Sequence, residues 1–526
     1  MANVGVRIVE SDYFSVKFIE FLTLVESHVF APLATIVVPD SNQPFTTLNL
    51  TGHGTTMKTN KIQTTKKYKL KRPREDKISQ MLKQIARLDH SVSVPTWGTL
   101  FRFEPTSPLG QAQANVAEIY GVPFAYPSTN GTTTLNVMAL LCVVSPGDTV
   151  LVQRDSHVSV LAPIIHAGLR PVYVTPRFSE KLGVTMGVTA SELRQELDQH
   201  PEIKVVFLTY PNYFGIATDI AALAEVTAQR GIPLIVDSAH GSHWAFHSSF
   251  PIRAEQVGAQ IVTYSNHKTC PTLGQGSLAL FNDEQLIPRL YEVVNNLGFV
   301  STSFSSVILT SLFNGIDLLN TEGDTLLGQR LEMANWARNQ INEIDGLHTF
   351  GLEEAEPGFL GFDPLRLTVD VSGIGYTGYQ IEDILIKKHG YYPEMGTLQN
   401  VLFLITTGIR WKEIRQLVEF LRQIACNPRS QKRLPDMTRP GLPCQILLPR
   451  DAFYFRNRRT MQVDEAAGYV SGETISAYPP GSAVIVAGEQ ITPEIVSYLK
   501  TVHRVGGVLK GASDGNFRTI QILEMQ

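Results

Sequence analysis

The stretch Ile232-Pro-Leu-Ile-Val-Asp237-Ser-Ala-His240-Gly-Ser-His243 sets the fold expected of this chain. It begins as a short apolar run with no polar alternation, which is what a strand covered on both faces of a parallel sheet requires. The run ends abruptly in a carboxylate, small residues and two histidines. Working outward, similar Val/Ile/Leu/Phe runs recur at 149–152, 171–174, 204–208, 260–263 and 277–281, with helix-like spacing between them at 190–199 and 220–230. Strands alternating with helices predict an α/β layer architecture with a mostly parallel sheet.

The 526 residues carry 45 Lys+Arg against 49 Asp+Glu, a formal charge of −4, with 43% hydrophobic and 18% charged residues. That composition supplies a core and excludes a disordered chain. Near-neutrality argues against a general nucleic-acid binder. The one strong basic run, 58–77, reads as solvated surface, because Tyr68 stands alone there without the aromatic interleaving that stacks on bases. Cys142, Cys270, Cys426 and Cys444 lie far apart and form no metal or redox pair, which fits a reducing cytoplasm. Charges at Lys17, Glu20 and Glu26 interrupt the apolar residues 14–38, so neither a membrane span nor a signal peptide is expected.

The organisation expected is a peripheral segment (1–50), a large domain (51–325), a small α/β domain (326–426), a proline-rich linker (427–443) and a C-terminal α+β domain (444–526). Within the small domain, 366–371 and 401–405 read as strands, and 379–388 and 411–424 as helices. Residues 324–344 read as one amphipathic helix bridging the domains. The C-terminal unit shows a strand at 483–486 and a helix at 493–502.

Ligands of open parallel sheets sit beyond the carboxyl ends of the strands. There this chain places Arg154-Asp-Ser-His157, Thr209-Tyr-Pro-Asn-Tyr213, Asp237-Ser-Ala-His240 and Ser265-Asn-His267-Lys268-Thr269. A fifth element, Ser128-Thr-Asn-Gly-Thr-Thr-Thr134, opens an apolar helical run. Its free backbone N–H groups, hydroxyls and helix dipole suit a phosphate, although the same residues also make ordinary N-caps. A phosphate cradle, an Asp at a buried strand end and a Lys after a later strand are the parts that hold pyridoxal phosphate. The lysine binds its aldehyde, and the carboxylate keeps the pyridine nitrogen protonated.

These motifs, with Tyr210-Pro-Asn-Tyr-Phe-Gly215, Asp89-His-Ser-Val-Ser-Val-Pro95, Tyr478-Pro-Pro-Gly481 and Gly511-Ala-Ser-Asp514, resemble the ornithine/lysine/arginine decarboxylase family from about residue 50 to the C-terminus. The resemblance implies a pyridoxal-phosphate transferase-like major domain of the aspartate-aminotransferase fold type. It implies that Lys268 is the Schiff-base lysine, Asp237 the partner of the pyridinium nitrogen and His157 the residue stacked on the ring, with Ala239 on the other face. Thr132, Thr133, Ser265 and His267 would bind the phosphate, and His240 would join the cofactor-binding set. Thr302 and Ser303 would reach a neighbouring subunit's phosphate, making the site a property of a homodimer or higher homo-oligomer.

The activity implied is decarboxylation of a basic amino acid, arginine or lysine and then ornithine, to the amine and carbon dioxide, feeding polyamine or diamine synthesis. Glu394 and Glu489 are the candidates to meet the substrate's distal cation. Zinc held by His240, His243 and His247 is not expected, because no Glu intervenes as in zinc hydrolases. Some positions depart from the family. Thr302-Ser-Phe-Ser-Ser306 replaces Thr-Ser-Pro-Ser-Tyr, Phe313 stands where an aspartate is common, and Arg102 lies in a segment that has lost an acidic residue and a histidine. These departures leave room for a different reaction at Cα of an atypical amino acid, or for an inactive relative.

Overall fold

The computed structural model describes residues 35–40, 43–49, 107–297, 304–429, 439–478 and 481–525. The basic run 58–77, Arg102, Thr302 and Ser303 therefore lie outside the described residues, as does most of the linker. The chain divides into two units, 1–78 and 79–526. In the first, strands β1 (Thr35–Asp40) and β2 (Gln43–Asn49) form an antiparallel hairpin.

The second unit is built on a seven-stranded sheet. Its strands are β3 (Phe124–Ser128), β4 (Thr149–Gln153), β5 (Arg170–Val174), β6 (Ile203–Thr209), β7 (Leu234–Asp237), β8 (Ile261–Tyr264) and β9 (Ser277–Phe281). They lie in the order β3-β9-β8-β7-β6-β4-β5. The five strands from β5 to β8 pair in parallel, and β9 runs antiparallel to both β8 and β3. The six sequence runs all became strands. Ile235, Val236, Ile261 and Val262 are fully buried, each such side chain contributing about 1.5–3 kcal/mol. Strand β3 was not anticipated: it is short, carries Pro127, and sits at the sheet edge where a missing N–H is tolerated.

Helices cover both faces. α1 (Pro108–Tyr120) precedes β3, and α2 (Gly131–Val143) follows it with most of its side chains buried. α3 (Ala190–Gln199) starts with a capping box between Thr189 and Glu192, and α4 (Ile220–Ala228) with Asp219 accepting from the Ala222 N–H at 3.0 Å.

The long helix differs from its expected bounds. α5 spans Ser306–Asn342, 37 residues, so it begins 18 residues before 324 and runs through the 325/326 position without a break. Leu309, Leu312, Ile316 and Leu319 continue its buried stripe toward the N-terminus, and Phe313 packs against the same core. Gly315 and Gly323 obscure that stripe in sequence. Both mark close approaches: a Cβ at Gly315 would lie 2.7 Å from the Pro271 carbonyl oxygen, and one at Gly323 2.8 Å from Phe246 Cβ.

Beyond α5 a four-stranded antiparallel sheet contains β10 (His348–Thr349), β11 (Arg366–Asp370), β12 (Met395–Gly396) and β13 (Asn400–Leu404) in the order β10-β11-β13-β12. Helices α6 (Gly378–Ile384) and α7 (Trp411–Ala425) belong to this block. The C-terminal part forms two three-stranded antiparallel sheets around α8 (Pro493–Arg504). Among the described residues no helix is long and apolar enough to cross a membrane.

One ion pair fastens this C-terminal part to the main sheet. Arg154, just past β4, donates to Glu489 Oε1 at 2.6 Å and to Oε2 at 2.8 Å, with side-chain exposures of 10% and 3%. Burial works against the Arg154 charge, but Glu489 and Tyr173 more than reverse it and raise the guanidinium pKa. Removing one partner of such a pair strands the other. Glu489→Ala should therefore lower stability by about 3–5 kcal/mol, with much of the loss recovered in Arg154→Met/Glu489→Leu. Urea denaturation of the three proteins checks this, and an unchanged midpoint in Glu489→Ala would show that the pair contributes nothing.

Candidate active site

The carboxyl ends of β4, β6, β7 and β8 and the N-terminus of α2 converge on a cavity of about 340 Å³. Asp237 closes β7 as the last residue of a wholly buried strand, itself only 3% exposed. Its Oδ2 accepts from Asn136 Nδ2 at 2.8 Å and its Oδ1 from the Ala239 N–H at 3.0 Å. Asn136 is held in turn by Thr263, whose hydroxyl donates to Asn136 Oδ1 at 2.7 Å. Strand β8 runs through Ser265 into the short helix Asn266–Thr269, which carries His267 and Lys268 into the cavity wall.

Lys268 Nζ lies 3.0 Å from His240 Nε2 and 5.7 Å from the centre of the Tyr213 ring. Burial pulls the Lys268 pKa down, Arg366 adds to the fall, and Asp237 and Glu394 oppose it. His240 is buried, its ring tilted against Tyr213 at 4.2 Å, and burial together with the Lys268 and Arg366 charges holds it well below the usual histidine range. A neutral imidazole therefore faces an amine that gives up its proton more readily than an exposed lysine.

At the other side of Asp237, His157 Nδ1 accepts from the Ser159 N–H at 3.2 Å, which leaves the proton of the neutral ring on Nε2. His157, Asp237, Ala239 and His240 all border the cavity. So do Thr132, Thr133, Ser265 and His267. Thr132 Oγ1 and Ser265 Oγ are 2.5 Å apart. His267 Nδ1 donates to the Gly276 carbonyl at 3.0 Å, so its Nε2 is the nitrogen left for a ligand. Helix α2 starts after Asn130, whose side chain makes no cap bond, and this leaves its first-turn N–H groups uncapped by any side chain at the cavity.

The two candidate substrate carboxylates separate. Glu394 accepts from Tyr213 Oη at 2.7 Å, beside the cavity. Glu489 does not line it: both its oxygens are taken by Arg154, and Oε2 also accepts from the Val486 N–H at 2.7 Å. The three histidines take different partners: His240 meets Lys268, His243 Nε2 lies 3.1 Å from Asp363 Oδ2, and His247 Nε2 lies 3.8 Å from Asp324.

Sequence reasoning missed Asn136, Gln275, Ser482 and the role of Asp155 as a lining residue. A single Asn inside the apolar run 135–144 was the available signal for the first. Missed too was Arg366, 1% exposed, which donates to the His240 carbonyl at 2.8 Å and lies 3.4 Å from Asp363 Oδ2.

Comparison with known proteins follows this geometry. The model of the Orn/Lys/Arg decarboxylase major domain matches residues 81–413, and that of the C-terminal domain of the same family matches 432–512. The chain belongs to this family of amino-acid decarboxylases. It is 31% identical over 428 residues to an arginine decarboxylase of Bacillus subtilis, covering 80% of this chain and 86% of that one. With the lysine decarboxylase LdcA of Pseudomonas aeruginosa it shares 24% over 524 residues, covering 79% and 69%. Among solved structures, lysine decarboxylase A from Pseudomonas aeruginosa superposes with a TM-score of 0.69 at 19% identity, over 87% of this chain and 78% of that chain. The family fold is thus the mostly parallel α/β architecture described above.

The histidines give a pH dependence with a definite sign. Burial is the largest cause lowering the pKa of His240 and His267, and the Lys268 charge adds to it in both. Each binds its proton more weakly folded than unfolded, so their contribution is intact above about pH 6.5 and is lost as the pH falls below it. The urea midpoint should drop between about pH 7.5 and pH 5.5, and the drop should shrink in His240→Gln. A level midpoint in the parent protein would contradict the assignment.

Proposed function

We propose that this chain is a pyridoxal-phosphate-dependent decarboxylase of a cationic amino acid, arginine or lysine before ornithine, yielding an amine of the kind that feeds polyamine or diamine synthesis. The observation that carries the reading is the joint presence of Lys268, Asp237 and the α2 N-terminus at one cavity. The residues fit the cofactor on physical grounds. Among the described residues neither Asp237 nor Lys268 has an ion-pair partner, and a buried carboxylate of this kind suits a cationic ring nitrogen. The uncapped first turn of α2, with Thr132, Thr133, Ser265 and His267, offers donors for a phosphate.

When bound, pyridoxal phosphate supplies an electron sink for the pair released as carbon dioxide leaves Cα. The protein's part is positional and electrostatic. Lys268 would hold the aldehyde carbon, and the depression of its pKa by burial raises the share of free amine able to do so. The Asp237 carboxylate, fixed by Ala239 and Asn136, would keep a proton on the ring nitrogen. His157 and Ala239 line the wall, where they would pack against the cofactor ring. His240 Nε2, 3.0 Å from Lys268 Nζ, exchanges a proton with the amine, so that Lys268 can return one to Cα. The same reading assigns Thr302 and Ser303 to a neighbouring subunit's phosphate in a homodimer or larger homo-oligomer.

Purified protein supplied with pyridoxal phosphate should release carbon dioxide and the matching amine from arginine, lysine or ornithine in a panel of amino acids. Lys268→Ala should lose the absorbance of the covalently held cofactor and fall in rate by about 100-fold or more. No product from any basic amino acid would remove the proposal in favour of other Cα chemistry or an inactive relative. An unchanged spectrum in Lys268→Ala would remove the lysine's role.

A further inference from the structure

Two chemically different groups of residues line the cavity. Thr132, Thr133, Ser265 and His267 make one, rich in hydroxyl and N–H donors. The other is assembled from three separate segments: Asp155 after β4, Thr185 from a short hairpin, and Asn212 to Phe214 after β6. Asn212 Nδ2 donates to the Thr185 carbonyl at 2.6 Å, tying two of these segments together. Ser156 and Thr209, neighbours of the first and third, are joined through their hydroxyls at 3.0 Å. Within this second group, Tyr213 donates to Glu394.

Asp155 is the unusual member. Its backbone carbonyl accepts from Ser482 Oγ at 3.1 Å and its Oδ1 from Gln153 Nε2 at 2.8 Å, and Thr185 and its own backbone N–H also bond to the carboxylate, so the group is held in place by neutral donors alone. Among the described residues it forms no ion pair. Arg439, stacked on Phe178 at 4.8 Å, acts on it only at longer range. Asp237, the other carboxylate lining the cavity, bonds to Asn136 and Ala239 and is the group assigned above to the ring nitrogen. Burial disfavours the Asp155 charge and pushes its pKa up. A cation arriving beside such a group offsets the cost of burying its charge, and that stabilisation appears as binding energy withheld from a neutral side chain.

We propose that Asp155 is the residue that reads the distal cation of the substrate, selecting amino acids whose side chain ends in a guanidinium or ammonium. The assignment rests on the decarboxylase reading of the cavity and deepens it by naming the group that sets substrate class. Gln153 and Ser482 serve as positioning residues, holding the carboxylate and its backbone at the cavity wall.

The test compares amines that cannot be decarboxylated. The cofactor-loaded protein is titrated with 1,5-diaminopentane, 4-guanidinobutylamine and pentylamine, reading the change in cofactor absorbance. Kinetics with arginine and lysine are measured alongside. The parent protein should bind the two dications at least about tenfold more tightly than pentylamine, as expected of one charge-assisted hydrogen bond. Asp155→Asn should abolish that preference and raise KM for the basic amino acids by a similar factor, with a smaller fall in kcat. Asp155→Ser, which keeps an acceptor for Gln153, is read in parallel so that a folding defect in one variant does not decide the outcome. A preference that survives both substitutions, or its absence from the parent protein, overturns the proposal. Failure of the decarboxylase reading would look different: no carbon dioxide from the parent protein, whatever the amines do.

Discussion

A carboxylate at the end of a strand that is buried on both faces must find hydrogen-bond donors in the protein, because water cannot reach it to supply them. Asp237 takes one donor from the Asn136 amide and another from the backbone two residues on. That requirement organises much of the site. Asn136 must lie inside α2, Thr263 must hold Asn136 from β8, and the loop after β7 must turn sharply enough to present Ala239. The N-terminus of α2, the end of β7 and the start of the lysine segment are thereby locked to one another. The phosphate end and the lysine end of the cavity cannot shift independently.

The second constraint comes from the smaller antiparallel block. Arg366, at the start of β11, reaches the His240 carbonyl, while Asp363 meets His243 and Arg366. Asp363 is held well ionised: burial raises its pKa, but His243 and Arg366 outweigh that and leave it lowered. Gly215 lies against this cluster at φ +82°, where a Cβ would stand 2.4 Å from Arg366 Cγ, so a side chain is excluded by both conformation and space. The loop carrying Asp237, Ala239 and His240 is thus gripped from two directions.

Much of this was legible in the amino-acid order for a definite reason. Strands covered on both faces of a sheet are apolar along most of their length, so β4 to β9 announce themselves, and polar residues at their ends stand out. Ser265 to Lys268 and Asp237 to His240 are legible in that way. The remainder depends on partners distant in the chain. Nothing local distinguishes Glu489, committed to Arg154 335 positions away, from a glutamate that faces a ligand. Strand β3 was hidden by its proline, and the first half of α5 by two glycines that exist because Pro271 and Phe246 approach them. Asp155 was in plain view within a motif, yet its exposure to the cavity is set by Thr185 and Ser482, which the strand pattern does not connect to it.

Ser482 belongs to the last tenth of the chain, and it bonds to the Asp155 carbonyl across 327 positions and bridges to His157 as an isolated β pairing. The main sheet can assemble as soon as β9 has been made, but the wall beside His157 waits for residues near the C-terminus. At about 5–20 residues per second of synthesis, the sheet exists for roughly ten seconds or more before that wall is available. During that interval the cavity is open on the side where Arg154 is still unpaired, and it is there that a nascent chain exposes a charge the finished protein conceals. Closure of the site is therefore a late event of folding, and it depends on the most non-local hydrogen bonds among the described residues.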